Sequence, residues 1–75
     1  MMPLGFLGDG ESAEIVAYSR TAGESCTSRA EEMGLRVGKS IEMLRNGSGA
    51  LLVKVDQSRI AVDRGIAMKI NVRIA

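Results

Sequence analysis

The chain has no histidine and no tryptophan, one cysteine, one proline, and two aromatic side chains, Phe6 and Tyr18, among its 75 residues. Each shortage excludes something. Without histidine, proton transfer near neutral pH loses its commonest agent, and a tight transition-metal site loses its commonest ligand. A lone Cys26 cannot form an intrachain disulfide, so the fold stands without one and the cytosol is the expected compartment. With so few aromatics the core must be built from Ile, Val, Leu, Met and Ala. The stacking platforms of single-strand binders are missing as well. Charge of one sign is not in excess, because ten Lys and Arg against nine Asp and Glu leave +1. A dedicated nucleic-acid binder needs a basic surplus, and none is expected here. Long apolar runs are also lacking. The longest charge-free stretches, Met1 to Gly8 and Asn46 to Val53, fall far short of the roughly 20 residues of a spanning helix. The N-terminus lacks the basic, apolar and small-residue series of a secretory signal.

What is present suits a small folded domain. Hydrophobic residues are 45% and charged residues 25%, which argues against disorder. Residues 1–75 are expected to form a single domain with short elements, since a chain this size buries only about 60% of its unfolded surface.

The N-terminal segment to Gly10 is apolar but punctuated by Pro3, Gly5, Gly8 and Gly10, which predicts turns rather than a helix. Ala13, Ile15 and Ala17 then alternate with Glu14, Val16 and Tyr18, the period of a strand. Ser19 to Thr27, rich in Ser, Thr and Gly, reads as a loop. Ser28 stands three residues before Glu31, the spacing of a capping box, although Ser25 or Thr27 would cap an earlier start. Gly34 is suited to stop the helix near Met33. Beyond it, Ile41 and Met43 alternate with polar neighbours. Asn46-Gly47-Ser48-Gly49 offers positive-φ residues for a hairpin. Leu51, Val53 and Val55 form the next alternating set, Asp56-Gln57-Ser58 reverses the chain, and Ile60 and Val62 continue it. Asp63 to Ala67 reads as a turn before Met68, Ile70, Val72 and Ile74. Five short strands with one short helix before the second predict a mainly β barrel, a closed form that hides strand edges. Ile41, Met43, Leu51, Val53, Val55, Ile60, Val62, Ile70 and Val72 would fill it.

Candidate chemical sites are few. Glu31 and Glu32 are adjacent and point about 100° apart on a helix, so they cannot share one ion. Asp56 and Asp63 flank a strand. These carboxylates leave room for weak surface binding of a divalent metal and for no tight site. Cys26 lies just before the expected helix with no histidine to activate it, so it reads as an inert thiol. Ser48 among glycines precedes a strand, whereas a phosphate loop opens a helix. Met33, Met43 and Met68 read as core filler. No acid–base pair or nucleophile constellation can be assembled, so neither an enzyme nor a cofactor is expected. Arginines outnumber the three lysines, and arginine is enriched at interfaces. Arg29 and Arg36 flank Met33 and Leu35, and these four residues are the candidate partner contacts.

The block Arg29 to Gly38, with Met33-Gly34-Leu35 and Gly38, resembles the signature of the ferrous iron transport protein A family. The closing pattern Ala67, Ile70 and Val72 is similar to that family's last strand. The resemblance runs from about Asp9 to Val72. Val37 departs from it by standing where the family usually has proline, and Asn46 to Gly49 replaces a Pro-Leu-Gly type of loop. The resemblance implies an SH3-like barrel acting in the cytosol as an accessory of ferrous iron uptake. Its implied partner is the soluble domain of a membrane ferrous iron transporter GTPase. The same fold serves as a C-terminal module of metal-dependent transcriptional repressors, so a stand-alone relative of that module with weak metal binding is the alternative.

Overall fold

The computed structural model describes Met1–Ala75. Six strands form one antiparallel sheet: β1 (Met2–Pro3), β2 (Ser12–Tyr18), β3 (Ser40–Asn46), β4 (Ala50–Val55), β5 (Ser58–Asp63) and β6 (Ile70–Ile74). Helix α1 (Gly23–Glu32) joins β2 to β3, and a single helical turn, α2 (Arg64–Ala67), joins β5 to β6. The sheet order is β1-β6-β2-β3-β4-β5. The five long strands follow the expected alternation, except that β6 starts at Ile70 because Met68, read as its first residue, caps the end of α2. The sixth strand is a two-residue addition in which Met2 and Pro3 pair with Val72 and Asn71.

Strand β2 holds the curvature. Its first residues pair with β3 while Ala13 to Tyr18 pair with β6, and a register shift between Ile15 and Ala17 bends it. A second shift, between Met43 and Arg45, bends β3 against β4. Such irregularities increase local twist, which is how a small sheet curls around a core. The ladder does not close by hydrogen bonding, because β1 and β5 remain its two edges.

The core is one cluster of 16 buried residues. All of the expected filling is buried except Ile60, which is half-buried at the edge strand. Leu4 and Leu7 are fully buried although they sit in the Gly- and Pro-punctuated segment. That segment forms a 3-10 turn over Leu4–Phe6, and each leucine removed from water contributes about 1.5–3 kcal/mol. Ile66 and Ala67 of α2 are buried as well.

Two local expectations are corrected. Helix α1 begins at Gly23, and Ser28 lies inside it, so no capping box forms. Cys26, Ala30 and Met33 recur at i, i+4 and i+7, which places them on one face, and all three pack on the core. Cys26 is therefore a helical, half-buried residue. The second correction concerns turns. Gly47 and Gly49 do not adopt positive φ, whereas Asp56 (51°) and Gln57 (69°) do. The β4–β5 hairpin is thus the two-residue type that matches strand twist, built without glycine.

Candidate functional site

The end of α1 is closed by two hydrogen bonds: the Gly34 amide donates to Glu31 O at 3.0 Å and the Leu35 amide to Ala30 O at 2.9 Å. This is the Schellman arrangement, and Gly34 at φ +92° is the left-handed residue it needs. The hydrophobic contact that accompanies the motif is made by Leu35 and Ala30, both buried.

The chain then turns again. The Lys39 amide donates to Arg36 O at 3.1 Å, and Gly38, third in that turn, has φ +96°. This is the type II pattern, whose second position favours proline and here holds Val37. Strand β2 pins the turn, since Gly38 N donates to Ile15 O at 2.8 Å and Ile15 N to Lys39 O at 2.9 Å. Tyr18, at the end of β2, donates its hydroxyl to Leu35 O at 2.7 Å. Burial and the nearby Glu31 carboxylate raise the Tyr18 phenol above its usual range, and the Arg36 guanidinium works against them.

Of the four candidate contact residues, three stay at the surface. Arg29 and Arg36 are exposed and Met33 is half-exposed. Leu35 is corrected: it is fully buried, because the Schellman motif turns it back onto the helix, so it anchors the corner and cannot touch a partner. Val37 takes its place on the outside, 55% exposed. Arg29 in the last turn of α1 also suits the negative end of the helix dipole.

A second polar centre was not legible as a site. Arg64 donates to Gly5 O at 3.2 Å and to Asn46 Oδ1 and Gly47 O. Asn46 donates its side-chain amide to Gly5 O at 2.9 Å and Leu7 O at 2.8 Å, while its own backbone amide donates to Asp9 Oδ1 at 2.7 Å. These two residues hold the N-terminal turn against the β3–β4 loop. A Cβ at Gly5 would lie 2.5 Å from Met68 Sδ, so the methionine side chain would have to move to admit one. The sequence offered Asn46 only as a turn residue.

No three His, Cys, Asp or Glu side chains converge, and Glu31 and Glu32 are both exposed. The surface depression beside β3 is open and lined by Ser12, Ser40, Glu42, Lys54, Asp56 and Gln57 around one apolar residue, Ile41. Small-molecule sites are enclosed and lined mainly by hydrophobic side chains, whereas this cleft is open and has one such residue. No helix is long and apolar enough to cross a membrane.

A model of the FeoA domain matches residues 2–74. The chain belongs to the FeoA family. A Methanocaldococcus jannaschii protein, provisionally named Fe(2+) transport protein A, is 36% identical over 75 residues, covering all of this chain and 89% of that one. Among solved structures, an iron uptake regulatory FeoA superposes with a TM-score of 0.88 at 27% identity, covering 99% of this chain and 96% of its own. The zinc complex of Stenotrophomonas maltophilia FeoA, described as a prokaryotic SH3 domain protein, superposes at 0.80 with 26% identity, covering 97% and 91%. The barrel seen here is accordingly the SH3-like fold of FeoA proteins. A manganese-dependent transcriptional repressor also superposes, at 0.90 with 16% identity, over 99% of this chain and 41% of that chain. At that identity the likeness is one of fold alone.

Proposed function

We propose that this FeoA protein is a cytosolic accessory of ferrous iron uptake that acts by binding the soluble domain of a membrane ferrous iron transporter, without catalysis of its own. Membership of a family named for ferrous iron transport supports the process, and the corner after α1 supports binding as the mode. The observation that carries the reading is the pinned turn. Arg36 and Val37 project from a segment held by the Schellman bonds, by Tyr18 and by the Ile15 backbone. A segment ordered before contact loses little conformational entropy on binding. Arginine beside an exposed apolar residue is also the chemistry enriched at interfaces. Arg29 and Met33 extend the same surface along the helix.

The experiment is a calorimetric titration of the transporter's purified cytosolic domain with parent protein and with Arg36→Glu. The variant keeps its melting temperature, since a surface charge change alters stability by about 0.5 kcal/mol or less. Its affinity falls about tenfold or more through charge reversal at the contact. A folded variant that binds as the parent does removes this corner as the contact.

A further inference from the structure

Strand β5 is paired on one side only. It is the end strand of the sheet, and its register with β4 runs unbroken from Val55↔Ser58 to Ala50↔Asp63. Because Asp56 and Gln57 make a two-residue turn, Val55 and Ser58 are a hydrogen-bonded pair and the pattern alternates from there. Ser58, Ile60 and Val62 therefore direct their backbone groups to β4. Arg59 and Ala61 direct theirs outward, as does the Asp63 amide, the Asp63 carbonyl being the cap that starts α2. No turn or loop hydrogen bond takes these groups up.

Natural sheets blunt such an edge with proline, a bulge, lysines or an inward charge. The other edge, β1, is two residues long and includes Pro3. Strand β5 has six residues with no proline, lysine or bulge. Its exposed face carries Arg59, Ala61 and Asp63, two opposite charges placed symmetrically about a small residue. A row of like charge would repel a second copy, and this arrangement does not.

We propose that a second copy of this chain adds to β5 in antiparallel register, about a two-fold axis at Ala61. The two Ala61 residues then exchange both backbone hydrogen bonds. Each Asp63 amide donates to the Arg59 carbonyl of the other copy, so of the outward groups only the Arg59 amide, whose opposite carbonyl caps α2, is left to water. On the outer face each Arg59 lies directly opposite an Asp63, the cross-strand position at which opposite charges attract. On the inner face each Ile60, left half-exposed by its own core, lies opposite Val62 of the other copy. The surface is self-complementary, as a two-fold interface requires. The proposal is independent of the transporter reading, because β5 shares no residue with the corner after α1.

Sedimentation velocity of the full chain from micromolar to millimolar concentration tests it. A reversible monomer–dimer equilibrium is expected, with the Ala61 and Asp63 amides gaining exchange protection in the dimer. Ala61→Pro removes an amide that β4 does not use and abolishes the dimer. Arg59→Glu sets two carboxylates opposite each other and weakens it about tenfold or more. Adding Asp63→Arg to that variant restores it, and the Asp63 side chain caps nothing in α2. If Ala61→Pro proves unfolded, the charge pair alone decides, since both its members are exposed. A chain that stays monomeric throughout overturns the proposal, as does a dimer indifferent to the charge reversal and its restoration.

Discussion

Replacing Arg64 with methionine keeps the apolar stem and removes the guanidinium from the polar centre beside the N-terminal turn. Asn46 Oδ1 and Gly47 O lose their donor, and Gly5 O loses one of two, keeping the Asn46 amide. A hydrogen bond to a charged group contributes about 1.5–3 kcal/mol, but these are partly exposed and water recovers some of each. The set together is therefore worth about 2–3 kcal/mol. Against a total stability of about 4–11 kcal/mol for a chain of this size, that loss lowers the melting temperature by about 10–20 °C. Differential scanning calorimetry measures it. Arg64→Lys should recover only part, because an ammonium lacks the planar fork that reaches several acceptors at once. Combining Arg64→Met with Asn46→Ala should cost less than the sum of the single changes, as expected of one network. The reasoning is refuted if Arg64→Met melts within about 2 °C of the parent, well under the shift of one lost kcal/mol.

Leu35→Ala should destabilise by about 2–5 kcal/mol, the usual cost of truncating a buried leucine. Urea denaturation measures it, and the fraction still folded should bind the transporter domain as the parent does. Tyr18 makes the corner sensitive to alkali. Its folded pKa lies above its unfolded value of about 10, so the folded state holds the proton more tightly. Its contribution is complete below pH ~10 and is lost as pH rises through the folded pKa. Tyr18→Phe should lower stability by about 1 kcal/mol at neutral pH. The difference between parent and variant should narrow in alkali, and a constant difference would count against the Tyr18–Leu35 bond.

The long strands and the helix stop were legible because their signals are local. Alternation in Leu51, Val53 and Val55, or the left-handed preference of Gly34, needs no knowledge of the rest of the chain. What failed was conditional on tertiary structure. Leu4 and Leu7 sit among turn formers, and the core they join and the Asn46 and Arg64 bonds that hold their turn come from residues distant in sequence. The start of α1 was hidden because Gly23 to Thr27 has loop chemistry, and the helix there is stabilised by Cys26, Ala30 and Met33 packing inward. Gly47 and Gly49 suggested a positive-φ hairpin that formed instead at Asp56 and Gln57, where the two-residue turn imposes that conformation on ordinary side chains. Of the four candidate contacts, burial alone separates one from the rest. Arg29, Met33 and Arg36 reach the surface, while Leu35 was drawn inward by a motif whose backbone bonds the sequence does not display.

The position of β6 bears on how the chain reaches this state. The strand built last stands between the two built first, β1 and β2, and Met2 finds its partner only in Val72. Until that strand arrives, Ile15 has one neighbouring strand and the leucines of the first turn have no wall to rest on. Completing the sheet therefore requires a long-range search that zippering outward from the β4–β5 hairpin cannot supply. Chains dominated by such distant pairings fold in milliseconds to seconds rather than microseconds. During that interval the apolar inner faces of β3 and β4 are open to the solvent and to one another's neighbours in the cell. A nascent FeoA chain is thus most vulnerable to aggregation in the moments before its final strand is in hand.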